Sequence, residues 1–141
     1  DNKTAAAFRV SLLLGAVVGG ASATDLKVLE QFSRAIGIAY QLKDDLEDYS
    51  GEKGDIEVRK FSIILSLLAG HLAPAEKQLL LSARSPEDFS VIYGLIDAYN
   101  IPQQAREILL GYISEAETCL AELTNLGLKL ALHEILGKIF K

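Results

Sequence analysis

The residues best equipped for chemistry lie in one run, Gln41-Leu42-Lys43-Asp44-Asp45-Leu46-Glu47-Asp48-Tyr49. At 3.6 residues per helical turn, Gln41, Asp44, Asp45 and Asp48 share one face, with Leu42 and Leu46 turned elsewhere. Carboxylates one, three and four residues apart repel one another. The pattern upstream puts them in the last turns of their helix, where the macrodipole disfavours each negative charge by ~0.3–1 kcal/mol. A helix that needed only solubility would carry its acids in the first turn, so something cationic should compensate this arrangement. Several carboxylate oxygens without His or Cys suit a hard cation such as Mg²⁺, retaining water ligands and bridging to phosphate. The bland alternative is a solvated acidic helix end. Lysines nearby in sequence strengthen the first reading: Lys53 in the following loop, Lys60 beside Arg59 at the start of the next helix, and Lys3 followed by Thr4 ahead of the first helix. Acids that collect Mg²⁺ and lysines that neutralise phosphate oxygens together make a diphosphate site. Each lysine taken alone suits a solvated surface better than a phosphate site.

These residues must be positioned by helices, because apolar residues recur at three- and four-residue steps and alternating strand patterns are missing. The spacing predicts an all-α domain of six to seven helices over residues 1–141. The first runs from about Thr4 to Gly20, with Gly15 and Gly19 on one face where another helix can approach closely. Thr24 is read as the N-cap of the second, with Asp25 in its first turn and Leu26, Leu29, Phe32, Ile36 and Tyr40 inward. It continues to about Tyr49. Ser50 to Asp55 forms a polar, glycine-punctuated loop. A third helix carries Phe61 to Leu72, and a fourth covers Ala75 to Ala83. Ser85-Pro86-Glu87-Asp88 is a strong helix start, with an N-cap, a proline at the first position and an acid at the third. Asn100-Ile101-Pro102 closes that helix and opens a long one to Leu123, with Ala105, Ile108, Leu109, Tyr112, Ile113, Ala116, Cys119, Leu120 and Leu123 as its apolar stripe. Asn125 and Gly127 punctuate before a last helix to about Phe140.

Composition narrows the function classes. Half of the 141 residues are hydrophobic and 23% are charged, which supports a packed core rather than disorder. The net charge of −5 argues against nucleic-acid binding. One cysteine, Cys119, excludes an internal disulfide framework and a Cys-based zinc site and suits a reducing, cytoplasmic compartment. His71 and His133 are far apart, read as helix-end or surface residues, and Cys119 as a core residue. The longest charge-free run, Val10 to Thr24, has 15 residues, short of the ~18 a spanning helix wants. No transmembrane segment or signal peptide is therefore expected. A chain without Met that starts at Asp1 is expected to be a processed form or a piece of something longer.

Lys3-Thr4-Ala5 opening a small-residue helix, followed about forty residues later by Ile36-Gly37-x-Ala39-Tyr40-Gln41-x-x-Asp44-Asp45-x-x-Asp48, resembles the second half of the trans-isoprenyl diphosphate synthases, the polyprenyl synthetases. The similarity continues through Gly54-Asp55-Ile56 and Lys60-x-Ser62 to Tyr112-Ile113-x-x-Ala116 and Leu120-x-x-Leu123, and so covers nearly the whole chain. The resemblance implies an all-α fold around a deep apolar cavity with two aspartate-rich motifs at its mouth. It implies Mg²⁺-assisted condensation of isopentenyl diphosphate with an allylic diphosphate. Asp44, Asp45 and Asp48 would be the second motif, with Asp44 the direct Mg²⁺ ligand. Gln41 would sit beside the departing diphosphate. Lys3, Lys60 and, by its place in the loop, Lys53 would hold diphosphate oxygens, and Thr4 would line the reacting end of the cavity. Homodimerisation is usual for the family.

Departures count as well. No second Asp-Asp-x-x-Asp occurs in the 141 residues, so the first motif, and the N-terminal half of the family's length, are absent. Arg59 stands where glycine commonly precedes the lysine, and the loop after Asp48 is shorter than usual. By itself the chain is expected to be inactive. Two other readings are a non-catalytic subunit that pairs with a complete synthase and a terpene-cyclase-like relative; Lys3 and Lys60 lean against the second.

Overall fold

A computed structural model describes residues 2–50 and 63–140, with residues 2–5 as backbone only. The described residues form seven helices: α1 Asn2–Val18, α2 Ala23–Ser50, α3 Ile63–His71, α4 Pro74–Ser82, α5 Pro86–Ala98, α6 Ile101–Ala121 and α7 Leu126–Ile139. The all-α class is as the periodicity requires. The loop from residue 51 and the start of the third helix at Phe61 lie outside the described residues.

Local chemistry sets the boundaries. Helix α1 ends in a Schellman turn: Gly20 has φ 73°, its N–H donates to the Val17 carbonyl, and the Ala21 N–H donates to the Ala16 carbonyl. Only glycine takes that left-handed conformation without steric cost. Helix α2 starts two residues earlier than expected, and Ser22 caps it instead of Thr24. Its Oγ accepts from the Asp25 N–H at 3.0 Å, and its carbonyl accepts the first intrahelical bond from Leu26. Thr24 already has helical backbone, so its hydroxyl cannot reach back to an orphan donor. At α5 the sequence signal is met in full. Ser85 Oγ accepts from the Asp88 N–H, and Asp88 Oδ2 accepts from the N–H groups of Ser85 and Arg84. Those donors pull the Asp88 carboxyl below its ordinary value. Asn100 (φ 50°) breaks α5 from α6, and Asn125 caps α7 by accepting from the Leu128 N–H.

The chain divides into two compact units, Asp1–Gln41 with Leu109–Lys141, and Leu42–Ile108. In the first unit, Leu29, Phe32 and Ile36 of α2 meet Ala116 and Leu120 of α6 and Leu132 and Leu136 of α7. Phe8, Leu12, Leu13 and Ala16 of α1 pack on that cluster. Phe32 is fully buried, which stabilises the fold by about 1.5–3 kcal/mol. Cys119 lies in this core, and burial pushes its thiol pKa up. In the second unit, Ile64 and Leu68 of α3 pack against Ile92 and Ile96 of α5, with Ile101 and Ala105 of α6 beneath them.

Three packing expectations fail. Among the described residues a Cβ on Gly15 would meet nothing, and one on Gly19 would meet only carbonyls of its own helix, so no described helix approaches this glycine face closely. The face of α1 that packs carries Phe8, Leu12, Leu13 and Ala16 instead. Tyr40 is 37% exposed, because the buried stripe of α2 passes through Ala39 and Leu42, and one residue along a helix is a turn of 100°. Ile108 is likewise exposed at 36%, at the point on α6 where residues pass from one unit to the other.

Candidate functional site

Helix α2 carries acids at both ends, and their surroundings differ. Near its start Asp25 is 6% exposed and surrounded by donors. Its carboxylate accepts from Ser22 Oγ at 2.9 Å, from the Thr124 N–H at 3.1 Å and from Thr124 Oγ1 at 2.9 Å. These bonds to Thr124 and Ser22 hold the Asp25 carboxyl below its usual value. They tie the first turn of α2 to the bend between α6 and α7. A clasp of this kind between positions 25 and 124 has no signal in sequence spacing.

At the other end, Leu46 and Tyr49 pack on the core of the second unit and anchor the last turns of α2. Ser50 Oγ donates to the carbonyls of Leu46 and Glu47, satisfying groups that the helix end leaves open. Tyr49 lies 6.3 Å from the Tyr93 ring and reaches Asp97 through a long 3.4 Å contact. With Leu42, Leu46 and Tyr49 on the packed side, the motif acids occupy the rest of the helix surface. Asp44 and Asp45 are half-buried and Asp48 is exposed.

The acids have separate surroundings. Asp45 Oδ2 accepts from the backbone N–H of Ile63 at the N-terminal end of α3, at 2.6 Å, so one of its oxygens anchors the next helix. Lys43 Nζ pairs with Glu47 Oε1 at 2.6 Å, one turn along. The Asp44 carboxyl is pushed above its ordinary value, first by partial burial and then by the negative charges of Glu47 and Asp45, which outweigh the nearby Lys43. Burial is the main cause of that rise, and the neighbouring carboxylates add negative potential to it. A divalent cation would relieve it, and an all-oxygen donor set suits Mg²⁺. Among the described residues no three His, Cys, Asp or Glu side chains gather into a ready-made metal cage.

The other expected site residues are distributed as follows. Gln41 precedes Asp44 by one turn of the same uninterrupted helix and lines an open pocket of about 220 Å³ in the first unit, with Arg9 and Arg34. Lys3 and Thr4 fall in the first turns of α1, and their side chains lie outside the described residues, as do Lys53 and Lys60 entirely. His71 is exposed at the end of α3, as expected. It also stacks on Tyr99 at 5.1 Å, and its Nε2 lies 3.0 Å from Gln104 Oε1, a contact not foreseen. His133 is exposed. No described helix is long and apolar enough to cross a membrane.

Known proteins share this sequence and fold in part. The large subunit 1 of a chloroplastic heterodimeric geranylgeranyl pyrophosphate synthase from Arabidopsis thaliana is 31% identical over 127 residues, covering 88% of this chain and 30% of its own length. A polyprenyl synthase from Roseobacter denitrificans superposes with a TM-score of 0.84 at 22% identity, covering 96% of this chain and 48% of that one. A geranylgeranyl pyrophosphate synthase from Lactobacillus brevis superposes with a TM-score of 0.80 at 25% identity, covering 94% and 45%. The chain thus spans less than half the length of each. The polyprenyl synthetase family profile matches residues 1–95, two thirds of the chain. With the aspartate run on the last turns of α2 and the same helical fold, this chain belongs to the polyprenyl synthetase family.

Proposed function

We propose that this chain is a single helical domain, the C-terminal half of a trans-prenyl diphosphate synthase, and that the complete enzyme condenses isopentenyl diphosphate with an allylic diphosphate. The observation that carries the reading is the environment of Asp44: a half-buried carboxyl in a surplus of negative charge, on the last turns of a helix. Such a site is unfavourable until a cation occupies it. In the reaction, the allylic C–O bond breaks and diphosphate leaves with the electron pair. The isopentenyl double bond supplies the pair for the new C–C bond, and a proton is then lost from the isopentenyl unit.

Mg²⁺ bound at Asp44 and Asp48 would supply charge neutralisation of the leaving diphosphate. Asp45 belongs to the same carboxylate set and keeps α3 in place through the Ile63 N–H. Gln41, one turn ahead, orients the departing group with its amide. Lys3, Lys60 and Lys53 hold diphosphate oxygens, and Thr4 lines the reacting end. Fixed donors aimed at the leaving group are where most of the rate acceleration arises.

A first aspartate-rich motif does not occur in these 141 residues, so the chain alone is inactive and turnover requires the remaining half. The complete synthase is a cytoplasmic homodimer in this reading. Calorimetric titration of inorganic diphosphate into the chain, with and without Mg²⁺, tests the half-site. Mg²⁺-dependent binding that Asp44→Ala abolishes is the expected result. Mg²⁺-dependent binding unchanged by Asp44→Ala would sink the assignment of the metal site.

A further inference from the structure

Two charged residues of the aspartate run take no part in the condensation site, Lys43 and Glu47. Residues four apart stack along a helix surface, so positions 43 and 47 form one row of α2 and positions 44 and 48 the next. Lys43 Nζ meets Glu47 Oε1 at 2.6 Å, with the lysine side chain 28% exposed and the glutamate 62%. Glu47 is also three residues past Asp44, which makes those two carboxylates neighbours across the rows. After burial, the charge of Glu47 is the largest contribution to the raised Asp44 pKa. Acids at 44, 47 and 48 therefore share little more than one turn, yet among the described residues no three gather as a metal cage. The ion pair accounts for this: it draws the Glu47 carboxylate back along its own row toward position 43.

The pair bears on which cation the site takes. Mg²⁺ keeps several waters and is held through one or two carboxylates, so Asp44 and Asp48 suffice for it. Ca²⁺ collects roughly six to eight oxygens, and Glu47, on the row beside Asp44, is a further carboxylate within reach. Recruiting it requires breaking its bond to Lys43. We propose that Lys43 is a selectivity residue: by holding Glu47 it keeps a further carboxylate from the metal, and so disfavours Ca²⁺ relative to Mg²⁺. The inference rests on the reading of Asp44 and Asp48 as metal-binding residues, and adds how the chain discriminates between ions there. An ion pair one turn apart on a helix surface sets the scale of the discrimination at a factor of about two to three.

The test uses metal ions alone. Water-proton relaxation follows Mn²⁺ binding to the full 141-residue chain, and displacement by Mg²⁺ or by Ca²⁺ gives the affinity for each. Lys43→Met should shift the ratio of the two affinities toward Ca²⁺ by about two- to threefold. Lys43→Arg, which keeps the positive charge beside Glu47, should hold the wild-type ratio. Adding Glu47→Ala to Lys43→Met should restore that ratio, because no freed carboxylate remains. A change of charge without a new ligand would move both ions together. Equal tightening of Mg²⁺ and Ca²⁺ by Lys43→Met therefore overturns the proposal, as does a shift that survives Glu47→Ala. Circular dichroism of each variant checks that the helix is intact. Failure of the underlying reading is visible separately: wild-type chain that binds no Mn²⁺, or binds it equally well after Asp44→Ala, removes the metal site and the selectivity with it.

Discussion

The two ends of α2 set the same residue type in opposite surroundings. Asp25 is enclosed by hydroxyl and amide donors that stabilise its charge, and it serves as a clasp within the first unit. Asp44 is half-buried among other carboxylates that oppose its charge. The first acid is satisfied by the protein that contains it. The second sits where burial and neighbouring carboxylates disfavour its charge, and this contrast is the basis of the proposal that it binds a cation.

The largest effect that would test this contrast is on binding. Asp44→Ala should reduce Mg²⁺-dependent diphosphate affinity by about 100-fold or more, or ~2.7 kcal/mol, whereas Asp25→Ala should leave it within a factor of a few in a folded sample. Isothermal calorimetry on both variants decides, and equal losses would erase the distinction.

Stability should respond in the opposite sense. Asp25→Ala should lower the melting temperature by several degrees, because the Thr124 and Ser22 donors lose a buried acceptor. Thr124→Val should act through the same bonds, so the double variant should fall short of the sum. Additive losses in thermal melts would show that the clasp is not one unit.

The cap gives a smaller effect. Ser22→Ala should cost about 1 kcal/mol in denaturant unfolding, within the usual range for a lost N-cap, and Thr24→Ala should stay within about 0.5 kcal/mol. The reverse order would return the cap to Thr24.

The smallest effect is in pH dependence. Asp25 has a depressed folded pKa, so its contribution is present above the ordinary carboxylate range and is lost as pH falls through that folded value. Asp44 has a raised folded pKa, so the folded state holds the proton more tightly than the unfolded chain. Stability from Asp44 therefore falls as pH rises through the window between its unfolded and folded values. Asp44→Asn should remove that loss and raise neutral-pH stability without metal by about 0.3–1 kcal/mol, the scale of a charge at an exposed helix end. Urea melts taken below pH 3, near pH 4 and at pH 7 measure both signs.

Much of this was legible in order along the chain. The helix boundaries around Ser85-Pro86-Glu87-Asp88 and Asn125 follow from contacts three residues apart, which sequence displays directly. The aspartate run was legible for the same reason, since helix periodicity alone puts its acids together. Ser22 was missed because its side chain competes with Thr24 for the same role, and only the backbone angles at the helix start decide between them. The Gly15 and Gly19 spacing suggested a close contact, yet small residues permit approach without compelling it.

By itself the amino-acid sequence determined the all-α class, the position of the aspartate-rich helix end and the family resemblance, because these depend on periodicity and local spacing. Tertiary structure alone decided that Asp25 is a clasp to Thr124, that one Asp45 oxygen anchors α3, and that Arg9, Arg34 and Gln41 border one pocket. Those outcomes depend on which faces pack and how deeply each carboxyl is desolvated. Separations of 99 and 18 residues do not reveal either.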